Sequence, residues 1–372
     1  MKGFYRKGAG GVIEFLFLSV LLVSMPVDVT HAAGRSLDKA YLYILSSGKN
    51  GASGVNTLSI VDADSKKSKE LFRLEKGNVG TLSLDPYGRF WAGYSSPDGR
   101  RENRVQVFKP DGSFSKIIKT AGNPEAGFVF SRGRVFIACT QNGFSGAIDV
   151  FDQTTLKRIK TIKLSSKIKD SPYYLSAIAG DERRIIVAGM TSGPDKNLNY
   201  CIIKVINPAN LLIINQTDAL AGVDIWCIIP HRGKFIMLNS APAGKSDKNV
   251  SNMLVMGEHG KIDGTSFVQS PLLGVIKDNT LYAYHNPAFN SISTNPSRML
   301  SAYNLRTGKY LSWKLPDRWN CSGIAAVEDR LLLLNSEAPD KKARGIYAFS
   351  LKDNKLSLMM NIPAAKRMLF EK

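Results

Sequence analysis

The sequence predicts an all-β protein, a seven-bladed β-propeller of four-stranded antiparallel blades whose ring is closed by the C-terminal strand. Three observations predict it. From residue 36 onward no stretch shows the 3.6-residue apolar period of a packed helix. Two kinds of hairpin turn alternate along the chain at a steady spacing. The first repeat lacks its first strand, and the chain end lies where an eighth repeat would begin.

Each repeat reads as apolar run, turn, apolar run, long polar loop, third run, turn and fourth run. The second turns fall at Asp62-Ala63-Asp64-Ser65, Pro110-Asp111-Gly112, Asp152-Gln153-Thr154, Asn207-Pro208-Ala209-Asn210, Gly257-Glu258-His259-Gly260, Arg306-Thr307-Gly308 and Lys352-Asp353-Asn354. Alternating or β-branched runs flank them, as in Thr57 to Val61 and Ile202 to Ile206, the pattern of half-buried strands. First turns recur in step, from Asp85-Pro86-Tyr87-Gly88 to Glu328-Asp329. The runs that precede them begin near residues 79, 124, 173, 223, 271 and 320, a period of 45 to 50 residues. A four-stranded unit of that length is a propeller blade: one small sheet cannot cover both its faces, whereas a ring of sheets covers each with its neighbours. The segment Lys366 to Phe370 follows the last run and supplies the inner strand that blade one lacks.

Ahead of the repeats, Lys2, Arg6 and Lys7 precede an eleven-residue apolar run, Phe15 to Met25, and the small-residue site Thr30-His31-Ala32. A spanning helix needs about twenty apolar residues, so this segment reads as a cleaved signal peptide, residues 1–32, ahead of a single propeller domain, 33–372. The expected location is the periplasm or the extracellular medium. No later run is long and apolar enough to span a membrane as a helix. The full chain has a net charge of +19, and removal of residues 1–32 leaves +18. Such a charge favours anionic neighbours and also keeps a protein dispersed. Cys139, Cys201, Cys227 and Cys321 show no metal-ligand or redox spacing; an oxidising compartment leaves one bridge open.

Ala40-Tyr41-Leu42-Tyr43-Ile44, Asn56-Thr57-Leu58-Ser59-Ile60-Val61-Asp62 and Leu82-Ser83-Leu84-Asp85-Pro86-Tyr87-Gly88-Arg89 together resemble the repeat of the exported YVTN-type seven-bladed propellers, and Gly146 to Asp152 is similar. The YVTN tetrapeptide itself is absent. The resemblance covers most of the mature chain and implies a fold rather than an activity, because that family includes binding and surface proteins, sugar lactonases and heavy chains of quinone-dependent dehydrogenases.

No GxSxG elbow, no phosphate-cradling glycine motif and no CxxCH occurs. No catalytic residue, metal site or cofactor is predicted. His231 and His259 sit in turns and His285 in a long loop at the opposite end, which does not make a three-histidine site. Asp62-Ala63-Asp64 begins like a calcium loop, but Ser65-Lys66-Lys67 follows, so it reads as turn chemistry.

By the family's topology the long second-to-third-strand loops share one face with the entrances of the inner strands, and that face is the ligand face. With Arg104 the loops hold eleven basic and six acidic groups, +5 of the total, too little for a dedicated polyanion groove or sequence-specific nucleic-acid binding. The candidate loop-face residues are Arg100, Arg101, His285 and Lys342, and the candidate channel-entrance residues are Asn78, Glu125, Tyr173, Asp224 and Trp319. Asp224 beside Trp226 suits a cation or polar ligand, or equally a turn cap. The expected function is that of an exported binding or assembly module for a protein or an anionic envelope or extracellular ligand. The alternative is a propeller enzyme, either a lactone hydrolase with a channel metal or the large subunit of a quinone-dependent dehydrogenase.

Overall fold

A computed structural model describes residues 41–47, 55–62, 65–75, 77–95, 103–141, 145–166, 168, 171–193, 200–240, 251–265, 270–286, 298–316, 319–336 and 340–371. Residues 1–32 and both Arg100 and Arg101 lie outside this set. The strands fall into seven antiparallel sheets.

From the axis outward, blade one is β29 (Ala365–Glu371), β1 (Tyr41–Ser47), β2 (Asn56–Asp62) and β3 (Ser68–Leu74). Blade two is β4 (Asn78–Leu84), β5 (Phe90–Ser95), β6 (Arg104–Phe108) and β7 (Phe114–Lys119). Blade three is β8 (Asn123–Ser131), β9 (Arg134–Thr140), β10 (Gly146–Asp152) and β11 (Arg158–Leu164). Blade four is β12 (Tyr173–Gly180), β13 (Ile185–Thr191), β14 (Tyr200–Asn207) and β15 (Leu212–Gln216), with a short β16 (Leu220–Ala221) also on β14. Blade five is β17 (Ile225–His231), β18 (Lys234–Asn239), β19 (Met253–Met256) and β20 (Ile262–Thr265). Blade six is β21 (Pro271–Lys277), β22 (Thr280–His285), β23 (Met299–Asn304) and β24 (Tyr310–Lys314). Blade seven is β25 (Cys321–Val327), β26 (Arg330–Asn335), β27 (Gly345–Ser350) and β28 (Leu356–Asn361).

Successive inner strands touch in order around the ring, and β29 touches both β25 and β4. The C-terminal strand therefore closes the ring, pairing with β1 from Ala365 against Ser46 to Glu371 against Tyr41. Apolar burial follows the same plan. Among the described residues seven hydrophobic clusters each join two neighbouring blades, such as Phe136, Ile148 and Leu175 between blades three and four, and Ile44, Leu334 and Met368 between blades seven and one. Trp313, a docking side chain, packs with its ring tilted at 5.0 Å from Phe349 of the next blade. The inner strands are largely buried while outermost strands such as β7 and β15 stay mostly exposed, because a face is covered only where blades converge toward the axis.

The turns obey local chemistry. The loops Arg132-Gly133, Arg232-Gly233 and Asp278-Asn279 hold both residues at positive φ, which matches a two-residue connection to the right-handed twist of its strands. In the turn after β2, Asp62 accepts the Ser65 N–H at 3.0 Å, so its carboxylate serves the turn. At this end arginines reach across blade boundaries. Arg89 donates to the Gln153 carbonyl at 2.6 Å, Arg134 to those of Pro208 and Ala209, and Arg184 to Gly257, Glu258 and Gly233 at 2.7, 3.1 and 2.7 Å.

Candidate functional site

The opposite end of the ring carries the long loops and the entrances of the inner strands. Backbone bonds tie the two together, from Thr120 to Asn103, Leu315 to Arg298 and Ile362 to Arg344. Each inner strand then departs from regular pairing within its first few residues. The register shifts between Ser46 and Leu45 opposite Lys366, between Val79 and Thr81, between Asn123 and Gly127, between Leu175 and Ala177, between Ile225 and Cys227, between Pro271 and Leu273, and between Cys321 and Gly323. A bulge leaves its extra residue outside the ladder and re-aims that side chain. The bulged residues, by blade, are Lys366, Gly80, Pro124 to Ala126, Ser176, Trp226, Leu272 and Ser322, a ring of bulges near the starts of the inner strands.

Glu125 is the acidic member of that ring and is buried. Asn123 donates to its Oε1 at 2.5 Å and the Tyr174 hydroxyl to its Oε2 at 2.9 Å. Burial raises its pKa, against the pull of those two hydrogen bonds and of the Arg367 charge. Arg367 comes from β29 and also donates from Nε to the Val79 carbonyl at 3.4 Å. Desolvation lowers the guanidinium pKa to about 10, opposed by Glu125. Lys366 is partly buried, and burial followed by the neighbouring Arg367 lowers its pKa. Blades one to four thus meet through one arc of charge and hydroxyl.

The other entrance residues divide by side-chain direction. Asn78 begins β4 and is partly buried at the mouth. Tyr173 turns into its blade: its hydroxyl donates to the Ile202 carbonyl at 3.0 Å, and the ring lies so close over Gly189 that a Cβ there would stand 2.4 Å from it. Trp319 is also a packing residue, edge-on to Tyr347 at 4.7 Å, while its carbonyl accepts from Tyr284 and Arg298. Asp224 precedes β17 with its backbone held by Asn239 and Ser240. Its carboxyl is buried, Oδ1 has no hydrogen-bond partner, and desolvation raises its pKa to about 6, opposed in part by the neighbouring Trp226 side chain.

Among the loop-face residues, Lys342 lies exposed in a short 3-10 turn, Lys341–Ala343, capped by Asp340. His285 is not a loop residue. It ends β22, is fully buried, and places Nε2 2.6 Å from the Ser301 hydroxyl. The equivalent residues of blades five and seven, Asn239 and Asn335, accept the N–H of Asp224 and Asn320 that leads into the inner strand. His285 occupies a scaffold position of the repeat.

All four cysteines are free and buried. Burial pushes the thiols of Cys201, Cys227 and Cys321 to about 12 and that of Cys139 higher still, which leaves them as protonated, core-filling groups. Among the described residues no group of three or more His, Cys, Asp or Glu side chains is arranged to hold a metal ion.

No protein-family model matches the chain, and no curated protein matches it. Solved structures do. A 6-phosphogluconolactonase candidate from Bacteroides fragilis superposes with a TM-score of 0.63 at 11% identity over 91% of this chain and 100% of that one. The β-propeller domain of the Trilobed protease from Pyrococcus furiosus gives 0.56 at 13% identity over 88% and 96%. Citrobacter koseri AztD gives 0.52 at 11% identity over 90% and 98%. Identities this low carry architecture and nothing finer: the chain is a seven-bladed β-propeller.

Proposed function

We propose that the chain is an exported binding and assembly module whose loop-side face takes a protein or an anionic ligand of the envelope or extracellular space. One observation carries this reading. At the loop-side mouth four blades contribute Arg367, the Val79 carbonyl, Glu125 and Tyr174 to a single buried polar arc. Charged groups gathered where they lose hydration are uncommon in a fold whose needs apolar blade boundaries already meet, and such groups cluster at functional sites. Export rests on the composition of residues 1–32. Among the described residues no helix is long and apolar enough to cross a membrane.

The test is capture of partners by the purified protein from its own envelope or medium, followed by titration at two salt concentrations. Changing Arg100, Arg101 and Lys342 to Ala should weaken the captured partner by about 1–2 kcal/mol more than changing Lys66, Lys67 and Lys157, since a few residues carry most of an interface. Equal losses that vanish together in high salt would leave only a diffuse polycation and overturn the reading. Mass spectrometry of the exported protein reads the cut after Ala32, and an intact Met1 would overturn export. The enzyme alternative calls for a stoichiometric metal or a visible chromophore in the purified protein, and metal analysis with an absorption spectrum separates the two.

A further inference from the structure

The outer wall of the ring differs from blade to blade. β7, β11 and β15 are the outermost strands of blades two, three and four, and two hydrogen bonds tie them side by side. Arg158 of β11 donates to the Lys119 carbonyl at the end of β7, and Lys160 of β11 donates to the Leu211 carbonyl just before β15 at 3.3 Å. The three strands contain no acidic residue. Lys116, Lys119 and Lys163 are exposed on them, and among the described residues none of the three pairs with a carboxylate. On β3 and at β20, by contrast, cations meet carboxylates, Arg73 with Glu70 at 2.8 Å and Lys261 with Asp263 at 2.9 Å, and β28 carries no charge. The same three strands hold six of the ten large apolar side chains that are exposed among the described residues: Phe114 and Ile117, Ile159, and Leu212, Ile213 and Ile214. Two of these are bulged. The register shifts at Ile159 in β11 and at the equivalent Ile214 in β15, where the isoleucines are 45% and 53% exposed, and blade two bulges at the same place with Ser115. A bulge re-aims its residue and turns the edge away from further pairing, so an added strand from another copy or another protein is the poorer occupant. Single exposed apolar groups are ordinary, but here they are interleaved with unpaired lysines over three adjoining strands.

We propose that the outer wall of blades two to four seats on an anionic lipid surface, with Lys116, Lys119 and Lys163 among the headgroup phosphates and Ile159 and Ile214 at the acyl boundary. Each lysine close to such a surface strengthens binding several-fold, and its pull decays within a Debye length. Apolar area entering the boundary adds a part that salt does not remove. Neither part needs paired backbone, which suits bulged edges. This wall is separate from the loop-side face, so the two surfaces are tested apart.

The purified protein is sedimented with vesicles of phosphatidylcholine and with vesicles of an equimolar mixture of phosphatidylcholine and phosphatidylglycerol, at low and at physiological salt. It should sediment with the mixed vesicles and not with the neutral ones. Changing Lys116, Lys119 and Lys163 together to Gln should weaken the partition about tenfold or more, whereas changing Lys309, Lys352 and Lys355 on blades six and seven, which removes the same net charge, should weaken it less than about threefold. Ile159→Ser combined with Ile214→Ser should weaken it several-fold, most clearly at the higher salt, where the apolar part remains. Position is read directly. The four native cysteines are buried, so Ile214→Cys alone takes an environment-sensitive dye; its emission should move to the blue on the mixed vesicles, and that of a dye at Leu358→Cys on β28 should not. All these positions are exposed, and thermal melts show that the variants are folded. No partition onto the mixed vesicles, equal losses from the two lysine sets, or equal blue shifts at Ile214→Cys and Leu358→Cys overturns the proposal. So does indifference to the two isoleucines together with equally tight binding of a DNA oligonucleotide, which would mark a surface for any polyanion.

Discussion

The two ends of the ring use charge in opposite ways. At the turn side Arg89, Arg134 and Arg184 each cross a blade boundary and end on backbone carbonyls of the next blade. Arg89 is further held by Asp85 at 2.7 Å, and Asp85 also takes the Trp91 indole N–H. Those charges are satisfied and stabilise the ring. At the loop side Lys366 and Glu125 sit in partly or fully buried positions and the Asp224 Oδ1 lacks a hydrogen-bond partner, and the shift of each disfavours its charged form. Net charge therefore says little about where a ligand goes, because basic groups such as Arg89, Arg134 and Arg184 act as staples. The informative charges are the few that the fold leaves badly served.

The largest way to break this contrast is to remove the strand that supplies Lys366. Deleting residues 364–372 takes away β29, opens the inner edge of blade one and exposes part of the cluster around Ala365 and Met368. The expected loss is roughly 4–6 kcal/mol, the burial of two or three apolar side chains, read as a fall in the denaturant midpoint. An unchanged midpoint would show that blade one closes by other means.

That closure was legible because counting turns leaves one strand missing, and strand counts survive poor sequence signals. Side-chain direction was less legible. Glu125 follows from its place at an inner-strand entrance, but Tyr173 and Tyr174 differ by one residue and so point to opposite faces. The first packs over Gly189 while the second reaches Glu125. Arg367 was hidden differently. It stands in the closing segment and belongs to an entrance of the same ring, but its distance of more than two hundred residues from Glu125 gives no local pattern. His285 shows the limit of loop boundaries read from polarity, since a polar residue that ends a strand can be fully buried when Ser301 satisfies it. The bulges have no sequence signature beyond their position.

A smaller effect sharpens the turn-side half. Arg184→Met deletes the guanidinium that serves three carbonyls and covers the Phe235 ring at 5.0 Å. The expected destabilisation is about 2–4 kcal/mol, since the carbonyls lose charged donors at a covered boundary. Lys157→Met, at an exposed position of another turn, should change stability by less than about 0.5 kcal/mol. Equal small effects in urea titrations would mean that the arginines decorate the surface and do not staple it.

The smallest effect has the opposite sign, and it tests whether loop-side charge is held at a cost. Asp224 is buried, its Oδ1 lacks a partner, and its pKa stands at about 6 against an ordinary 3.8. The folded value lies above the unfolded one, so this group's contribution to stability is full below the unfolded pKa and is lost as pH rises through the folded one. Between about pH 4 and pH 6 the unfolded chain ionises while the native carboxyl stays protonated, so stability falls; above that the native group ionises too and the cost is constant. A shift of about two units bounds it at about 3 kcal/mol, and an amide that must still be desolvated recovers part of this, so Asp224→Asn should stabilise by about 2 kcal/mol at pH 8 and hardly at all at pH 4. Other groups titrate in the same window, Glu125 in the same direction and the exposed turn carboxylates Asp111 and Asp152 in the other. The difference between variant and parent midpoints across pH cancels them and isolates Asp224. A variant that is destabilised at pH 8, or a difference independent of pH, would show that the carboxylate is well served where it sits, and the contrast between the two ends of the ring would rest on Lys366 and Glu125 alone.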